Sequence, residues 1–305
     1  MTKSAINIIK GLEARPEGRS VEAAQAAGLR TCVLIVGTGK ATNRSSVLHN
    51  AAYAQLDVPF IYLTSDTSDI KGAMAELREH GIRGASIGIP YKQDVMPLLD
   101  DLDQKARDIS AVNTVVNEDG MLRGYNSDWI GAINAIEEKA RLDKGMRAVL
   151  AGAGGAGRAI AYALNSKGID VEIFDREPEK ARALAGDLGL EFGGGIDDLR
   201  EARACDIVVN ATPVGSEVSG YEGMSIIPEQ LLGRMGRGKI AFDAVYLPNR
   251  TRFLQDAERQ GIITVGGAGM LLHQAAFQVE KFTGLPAPIE VMRSALFGSL
   301  RGSEG

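Results

Sequence analysis

Cysteine and histidine are both scarce in this 305-residue chain, with only Cys32 and Cys205 of the first and His49, His80 and His273 of the second. Neither cysteine belongs to a CxxC pair, which excludes a disulfide framework and a zinc ribbon. Three scattered histidines exclude a histidine-rich metal centre, so no metal is expected. Long apolar runs are also missing. The longest near the start, TCVLIVG at 31–37, falls far short of the roughly 20 residues a bilayer span needs. The opening MTKSAINIIKGLEARPEGRS has no extended apolar core and no small-residue cleavage site, so a soluble cytoplasmic protein is expected. Basic charge is not in excess either. Lys and Arg number 34 against 39 Asp and Glu, a net charge of −5, which argues against nucleic acid as a partner.

What the chain has in quantity is apolar residues (45%) and glycine, 37 against 10 prolines. That composition supplies real cores and many tight turns, and the length suits two domains of ordinary size. Strand-like and helix-like segments alternate from residue 31. Strands are read at 31–37, 59–65, 84–89 and 109–116, with helices at 45–56 and 69–81 between them. The second half repeats the pattern: strands at 147–152, 170–175, 206–212 and 239–246, helices at 157–168 and 178–189. Such alternation predicts βαβ units and parallel sheet. The small-residue segment 215–228 reads as a loop able to cover a cleft.

VLAGAGGAGRAIAYAL at 149–164 carries GxGxxG at Gly152, Gly154 and Gly157. The motif follows an apolar strand and opens an apolar helix, the setting a dinucleotide fingerprint requires. One glycine permits the tight turn, the next lets backbone approach a pyrophosphate, and the third allows close helix–strand packing. The turn Gly152, Ala153, Gly154, Gly155, Ala156 and Gly157 is therefore expected to bind the cofactor's phosphates at a helix N-terminus. Asp175 ends the next strand, where an acidic residue meets the ribose hydroxyls and repels a 2′-phosphate, so NAD is expected over NADP. Arg176 beside it is the residue that could accept such a phosphate, while Glu177 points back towards NAD.

Hydride transfer to a ketone also needs a proton for the oxygen, and a positioned lysine can hold one. Lys92 closes SIGIPYK (86–92), and Asp128 in LRGYNSDWIG is the acid that could orient it. Asp128 reads equally as a helix N-cap. Asn113, in the strand read at 109–116, needs buried partners for its amide, of which a ligand hydroxyl is one.

These ordered segments resemble the shikimate/quinate dehydrogenase family over about residues 31–285, and most nearly its divergent shikimate dehydrogenase-like subgroup. SIGIPYK is similar to the family's NVTxPxK, SAVNT to its AVNT, and GYNSD to its GxNTD. NATPVG (210–215), DAVYLPNRT (243–251) and GAGMLLHQAA (267–276) resemble its NATxxG, D-x-x-Y-x-P and GxGMLxxQAA segments. The resemblance implies reversible reduction of 3-dehydroshikimate to shikimate, or of 3-dehydroquinate to quinate, at a cleft between a substrate domain and a cofactor domain. It makes Lys92 and Asp128 catalytic, and Asn113, Tyr246 and Gln274 substrate-binding. It adds Asn210, Ala211, Thr212 and Gly267 to the cofactor site with Asp175 and Arg176. In the family's S-x-S-P segment Ser45 stands for the second serine, Asn43 replaces the first and Ser46 the proline. Ser86 and Gly88 replace the asparagine and threonine of NVTxPxK. The substrate is then a cyclohexene or cyclohexane polyol carboxylate, with an aminoshikimate as an alternative and a NAD-binding sensor with little turnover as another. A homodimer is compatible with all of these.

The expected architecture is α/β: an N-terminal α/β substrate domain over 1–128 (1–28 an arm), a Rossmann-type domain over 129–269, and C-terminal helices over 270–305 returning to the substrate domain.

Overall fold

A computed structural model describes residues 20–37, 39, 44–217 and 219–301, so Asn43 and the arm before residue 20 lie outside the described residues. In chain order the first elements are α1 (Val21–Ala26), β1 (Arg30–Val36), α2 (Arg44–Gln55), β2 (Phe60–Asp66), α3 (Ile70–Glu79) and β3 (Gly84–Ile87). Next come β4 (Asp101–Leu102), α4 (Gln104–Ile109), β5 (Thr114–Glu118), β6 (Met121–Tyr125) and α5 (Asp128–Glu137). The second half runs β7 (Arg147–Ala151), α6 (Gly155–Ser166), β8 (Asp170–Asp175), α7 (Pro178–Leu188), β9 (Glu191–Gly195) and β10 (Ile207–Asn210). It ends with α8 (Glu229–Met235), β11 (Ile240–Asp243), α9 (Arg252–Arg259), β12 (Ile263–Val265), α10 (Gly267–Thr283) and α11 (Ile289–Arg301).

The chain divides into two compact units, one of residues 1–127 with 274–305, the other of residues 128–273. The first holds a mixed sheet in the order β2-β1-β3-β5-β6-β4. β1 pairs in parallel with β2 and β3, whereas β5 is antiparallel to both β3 and β6. Val33, Ile35, Ile61, Leu63, Ala85 and Ile87 fill its core, which is why these parallel strands read as unbroken apolar runs. α11 packs against α2. Arg83 ties down the C-terminal end of α10: its guanidinium donates to the carbonyls of Phe282 (3.0 Å), Lys281 (3.3 Å) and Asn117 (2.8 Å). A cation there also complements the negative end of the helix.

The second unit is an all-parallel sheet in the order β12-β11-β10-β7-β8-β9. The order reverses between β7 and β10, the switch point at which doubly wound sheets bind ligands beyond their strand C-termini. Leu150, Ile173, Val209 and Phe242 are its buried centre.

The strand expected at 109–116 is not one strand. α4 runs to Ile109, a short turn follows, and β5 starts only at Thr114. Ser110 stops the helix in the left-handed region (φ 56°), so Asn113 sits on a turn before the strand. The strand expected at 84–89 ends at Ile87, where Gly88 and Pro90 begin a turn. Among the described residues no helix is long and apolar enough to cross a membrane.

His49 on α2 is fully buried, its ring stacked on Tyr62 with centroids 3.9 Å apart, and its Nδ1 donates to the Ser45 carbonyl (2.8 Å). Burial pushes its pKa down from 6.5 to about 4. A histidine that must be neutral to fold binds protons better when unfolded. Its contribution is present above about pH 6.5 and is lost as pH falls through about 4. Between those values the slope of stability on pH is at most about 1.4 kcal/mol per unit from this group. Replacing His49 with Phe should flatten the pH dependence of the urea midpoint in that window; an unchanged slope would show that His49 does not carry it.

Candidate active site

In the second unit the glycine-rich turn lies between the C-terminal ends of β7 and β8. Gly152 N–H donates to the Phe174 carbonyl (2.7 Å), and Gly152 takes φ 108°, which side chains resist. A Cβ on Gly157 would collide with the Gly152 carbonyl, and one on Gly152 would lie 2.9 Å from the Ala211 carbonyl carbon. Gly154 is different: a Cβ there meets nothing within 4 Å. It is the N-cap of the 12-residue helix α6, and no side chain caps that helix. Its first-turn N–H groups and open approach suit a pyrophosphate, so these residues fit a dinucleotide.

The neighbouring turn at 210–215 is built by Asn210. Its Nδ2 donates to the Val214 carbonyl and to Asp243 Oδ1, both at 3.0 Å, while its Oδ1 accepts from Thr212 N–H (3.0 Å) and the Thr212 hydroxyl (2.7 Å). With every polar atom of the carboxamide used, Asn210 shapes the turn, and Ala211 and Thr212 form its outer edge beside Gly152. Gly267, at the start of α10, packs so closely on the Ala244 and Val245 carbonyls that no Cβ fits. Tyr246 is half-buried on the segment after β11.

Asp243 was not among the expected site residues. It is fully buried, and burial pushes its carboxyl up to about 7 against hydrogen bonds from the Thr251 hydroxyl (2.6 Å), Val245 N–H and Asn210. Thr251 also caps α9. Asp243 has two signals in the sequence: it is an acid ending an otherwise apolar strand in KIAFDAVY, and it opens DAVYLPNRT, the segment that resembles the family's D-x-x-Y-x-P.

In the first unit, Lys92 lies on the turn after β3 and is half-buried. Its carbonyl accepts from Val112 N–H (2.7 Å), and the Tyr91 hydroxyl beside it donates to the Thr67 carbonyl (2.6 Å). Two strong bonds thus fix the backbone from which Lys92 projects. The segment is not wholly core, since Ile89 is 61% exposed.

Asn113 is 3% exposed, and its Oδ1 accepts from Ser127 N–H (2.7 Å), the Thr114 hydroxyl (2.8 Å) and the Ser127 hydroxyl (3.1 Å). Its Nδ2 donates to Gln274 Oε1 at 3.3 Å. Asn113 and Gln274, 161 residues apart in sequence, therefore meet. Asn126 donates to the Ala111 carbonyl (2.9 Å), so two side-chain clamps hold the loop that leads into Asp128. Asp128 itself is 1% exposed and opens α5. Ser45 is half-buried in the first turn of α2.

A Rossmann sheet with a dinucleotide turn at its switch point, in a chain whose other α/β unit carries a turn-borne lysine and paired amides, defines a nicotinamide-dependent oxidoreductase. Comparison with known proteins makes the class particular. Residues 35–115 match the shikimate dehydrogenase substrate binding domain, and residues 267–297 the shikimate 5'-dehydrogenase C-terminal domain. The shikimate dehydrogenase (NADP(+)) of Methanopyrus kandleri is 38% identical over 269 residues, 84% of this chain and 91% of that protein. A solved shikimate dehydrogenase in complex with NADP+ superposes with a TM-score of 0.80 at 32% identity, over 90% of this chain and 96% of the other. The quinate dehydrogenase of Corynebacterium glutamicum in complex with NAD gives 0.79 at 31% identity, over 88% and 99%. The chain belongs to the shikimate/quinate dehydrogenase family and is an NAD(P)-dependent alcohol dehydrogenase of that type.

The expectation that NAD is preferred over NADP is overturned by these NADP+ relatives. The geometry explains why the acid misled. Asp175 Oδ2 accepts from Ala153 N–H (2.7 Å) and Oδ1 from Glu177 N–H (2.8 Å), so the carboxylate braces the turn itself. Arg176 is exposed beside it.

The turn's tightness yields a test. Gly157→Ala should cost about 1–3 kcal/mol of stability through overpacking and weaken dinucleotide binding at least tenfold. Fluorescence titration with NADP and with NAD, beside a urea melt, measures both; unchanged binding would show that the turn does not need the close approach.

Proposed function

We propose that the enzyme interconverts shikimate and 3-dehydroshikimate with NADP, using Lys92 as proton donor and acceptor and Asp128 to orient it. The observation that carries this reading is the Asn113–Gln274 pair, two amides brought together from distant segments beside a turn-borne lysine. The identity to shikimate dehydrogenases supports the substrate.

Bound NADP supplies or accepts the hydride at the carbon of the reacting carbonyl or alcohol. Everything else falls to the chain. The turn from Gly152 to Gly157 and the edge of Ala211 and Thr212 would receive the phosphates, and Arg176 the 2′-phosphate, since a guanidinium matches a phosphate with paired donors. Lys92 hydrogen-bonds the substrate oxygen and passes its proton to the developing alkoxide; in the oxidative direction it takes that proton back. A fixed ammonium aimed at an oxygen that gains charge stabilises the transition state more than the ground state. Asp128 keeps the ammonium pointed at that oxygen. Asn113 and Gln274 hold ring hydroxyls, Tyr246 is a further substrate contact, and Ser45 with Asn43 receives the carboxylate.

Two measurements test the assignment. Lys92→Ala should lower kcat for shikimate oxidation about 100- to 10,000-fold while leaving NADP affinity intact. A variant within tenfold of the parent would remove Lys92 from the proton transfer. Arg176→Ala should raise the KM for NADP about tenfold or more and leave that for NAD nearly constant. An equal change for both cofactors would show that Arg176 does not meet the 2′-phosphate.

A further inference from the structure

A buried line of hydrogen bonds runs behind the substrate amides in the first unit. The Tyr62 hydroxyl lies 2.5 Å from Ser86 Oγ, and Ser86 Oγ lies 2.9 Å from Gln278 Oε1. Gln278 Nε2 reaches Thr114 Oγ1 (3.0 Å) and the Asn113 carbonyl (3.3 Å). Thr114 Oγ1 then reaches Asn113 Oδ1 (2.8 Å). Tyr62, Ser86, Thr114, Asn113 and Gln278 are all at most 6% exposed.

Carboxamides and hydroxyls could point either way, but two backbone groups remove the choice. Ser127 N–H can only donate, so the Asn113 atom 2.7 Å from it is the oxygen. The Asn113 carbonyl can only accept, so the Gln278 atom facing it is the nitrogen. Thr114 must then donate to Asn113 Oδ1 and accept from Gln278. Gln278 Oε1 must accept from Ser86, and Ser86 from Tyr62. The same logic continues outward: Asn113 Nδ2 donates to Gln274 Oε1, which leaves Gln274 Nε2 as a donor.

We infer that Ser127 and this relay leave Asn113 and Gln274 with N–H groups to offer the substrate, a donor-rich face that favours a ring oxygen over an ammonium at the same ring position, and that Gln278 is the positioning residue that holds α10 against the Asn113 turn. The inference rests on the substrate assignment above. An oxygen has lone pairs for two amide N–H groups, whereas an ammonium has none and would bury its charge against two donors. Sites built to satisfy a substrate hydroxyl discriminate strongly when that match fails. Gln278 lies one helical turn beyond Gln274 on α10. Its bonds to the Asn113 turn hold α10 at the height where Gln274 meets Asn113. Gln278 does not touch the substrate; it acts through that pair.

The test is steady-state kinetics and equilibrium binding with shikimate and with aminoshikimates carrying the ammonium at each ring-hydroxyl position in turn, NADP being the cofactor. The parent should handle shikimate and bind at least one amine analogue about 100-fold more weakly. Asn113→Asp, which turns the donor into an acceptor, should narrow or reverse that ratio. Gln278→Leu should raise the shikimate KM about tenfold with NADP KM and kcat little changed, and Gln278→Met, equally unable to donate, should do the same. Tyr62→Phe should act in the same direction but more weakly. A parent that accepts every amine within tenfold of shikimate overturns the donor-rich face. A ratio unmoved by Asn113→Asp does so too. An unaltered shikimate KM in a folded Gln278→Leu removes Gln278 from the positioning role. Failure to turn over shikimate at all overturns the substrate assignment first, and this inference with it, so the two failures read differently.

Discussion

The bond from Ser127 N–H to the Asn113 carboxamide is the contact on which the substrate half depends. It joins the turn before β5 to the loop before α5, so one donor fixes the rotamer of Asn113 and the approach of the chain to Asp128. Backbone donors suit this task because they cannot reorient, while hydroxyls and amides around them can. Once that end is set, each group along the buried line has one remaining orientation. Such a network is well satisfied or it is costly, and here the described partners satisfy it.

The cofactor half rests on a different constraint, that of space. Gly152 and Gly157 are pressed against backbone, and Asp175 and Asn210 spend their polar atoms on the two turns that flank the switch point. This is the reason Asp175 was misread. A carboxylate at the end of β8 looks the same in sequence whether it meets a ribose or its own turn, and only the positions of Ala153 and Glu177 N–H separate the two. The correction of the nucleotide preference therefore comes from the relatives.

Much of the fold was legible because parallel strands bury both faces and read as apolar runs, as in β1, β2, β7 and β10. The GxGxxG turn was legible for the same reason its residues are fixed: only glycine fits. β9 was not, since EFGGG has no period and is held by pairing with β8 and by Arg182 stacked 4.0 Å from the Phe192 ring. The β5–β6 hairpin has a local signal in its Asp-Gly pair. Asp119 and Gly120, both at positive φ, form its two-residue turn. In sequence Ser86 is only a departure from the family pattern, whereas in the structure it links Tyr62 to Gln278. Gln278 itself lay in view, four residues after Gln274 on an apolar helix, where a second buried amide needs a partner.

The three glycines of the cofactor turn answer to different authorities. Gly152 and Gly157 are held by the protein's own backbone, but a Cβ on Gly154 would meet nothing within 4 Å, and its backbone is ordinary and extended (φ −73°, ψ −174°). A survey of substitutions scored by folding would register the outer two and pass over the middle one. Scored by turnover, it would register all three. The difference between those two maps separates what the turn needs to fold from what it needs to bind, and of the three glycines Gly154 alone belongs to the second account.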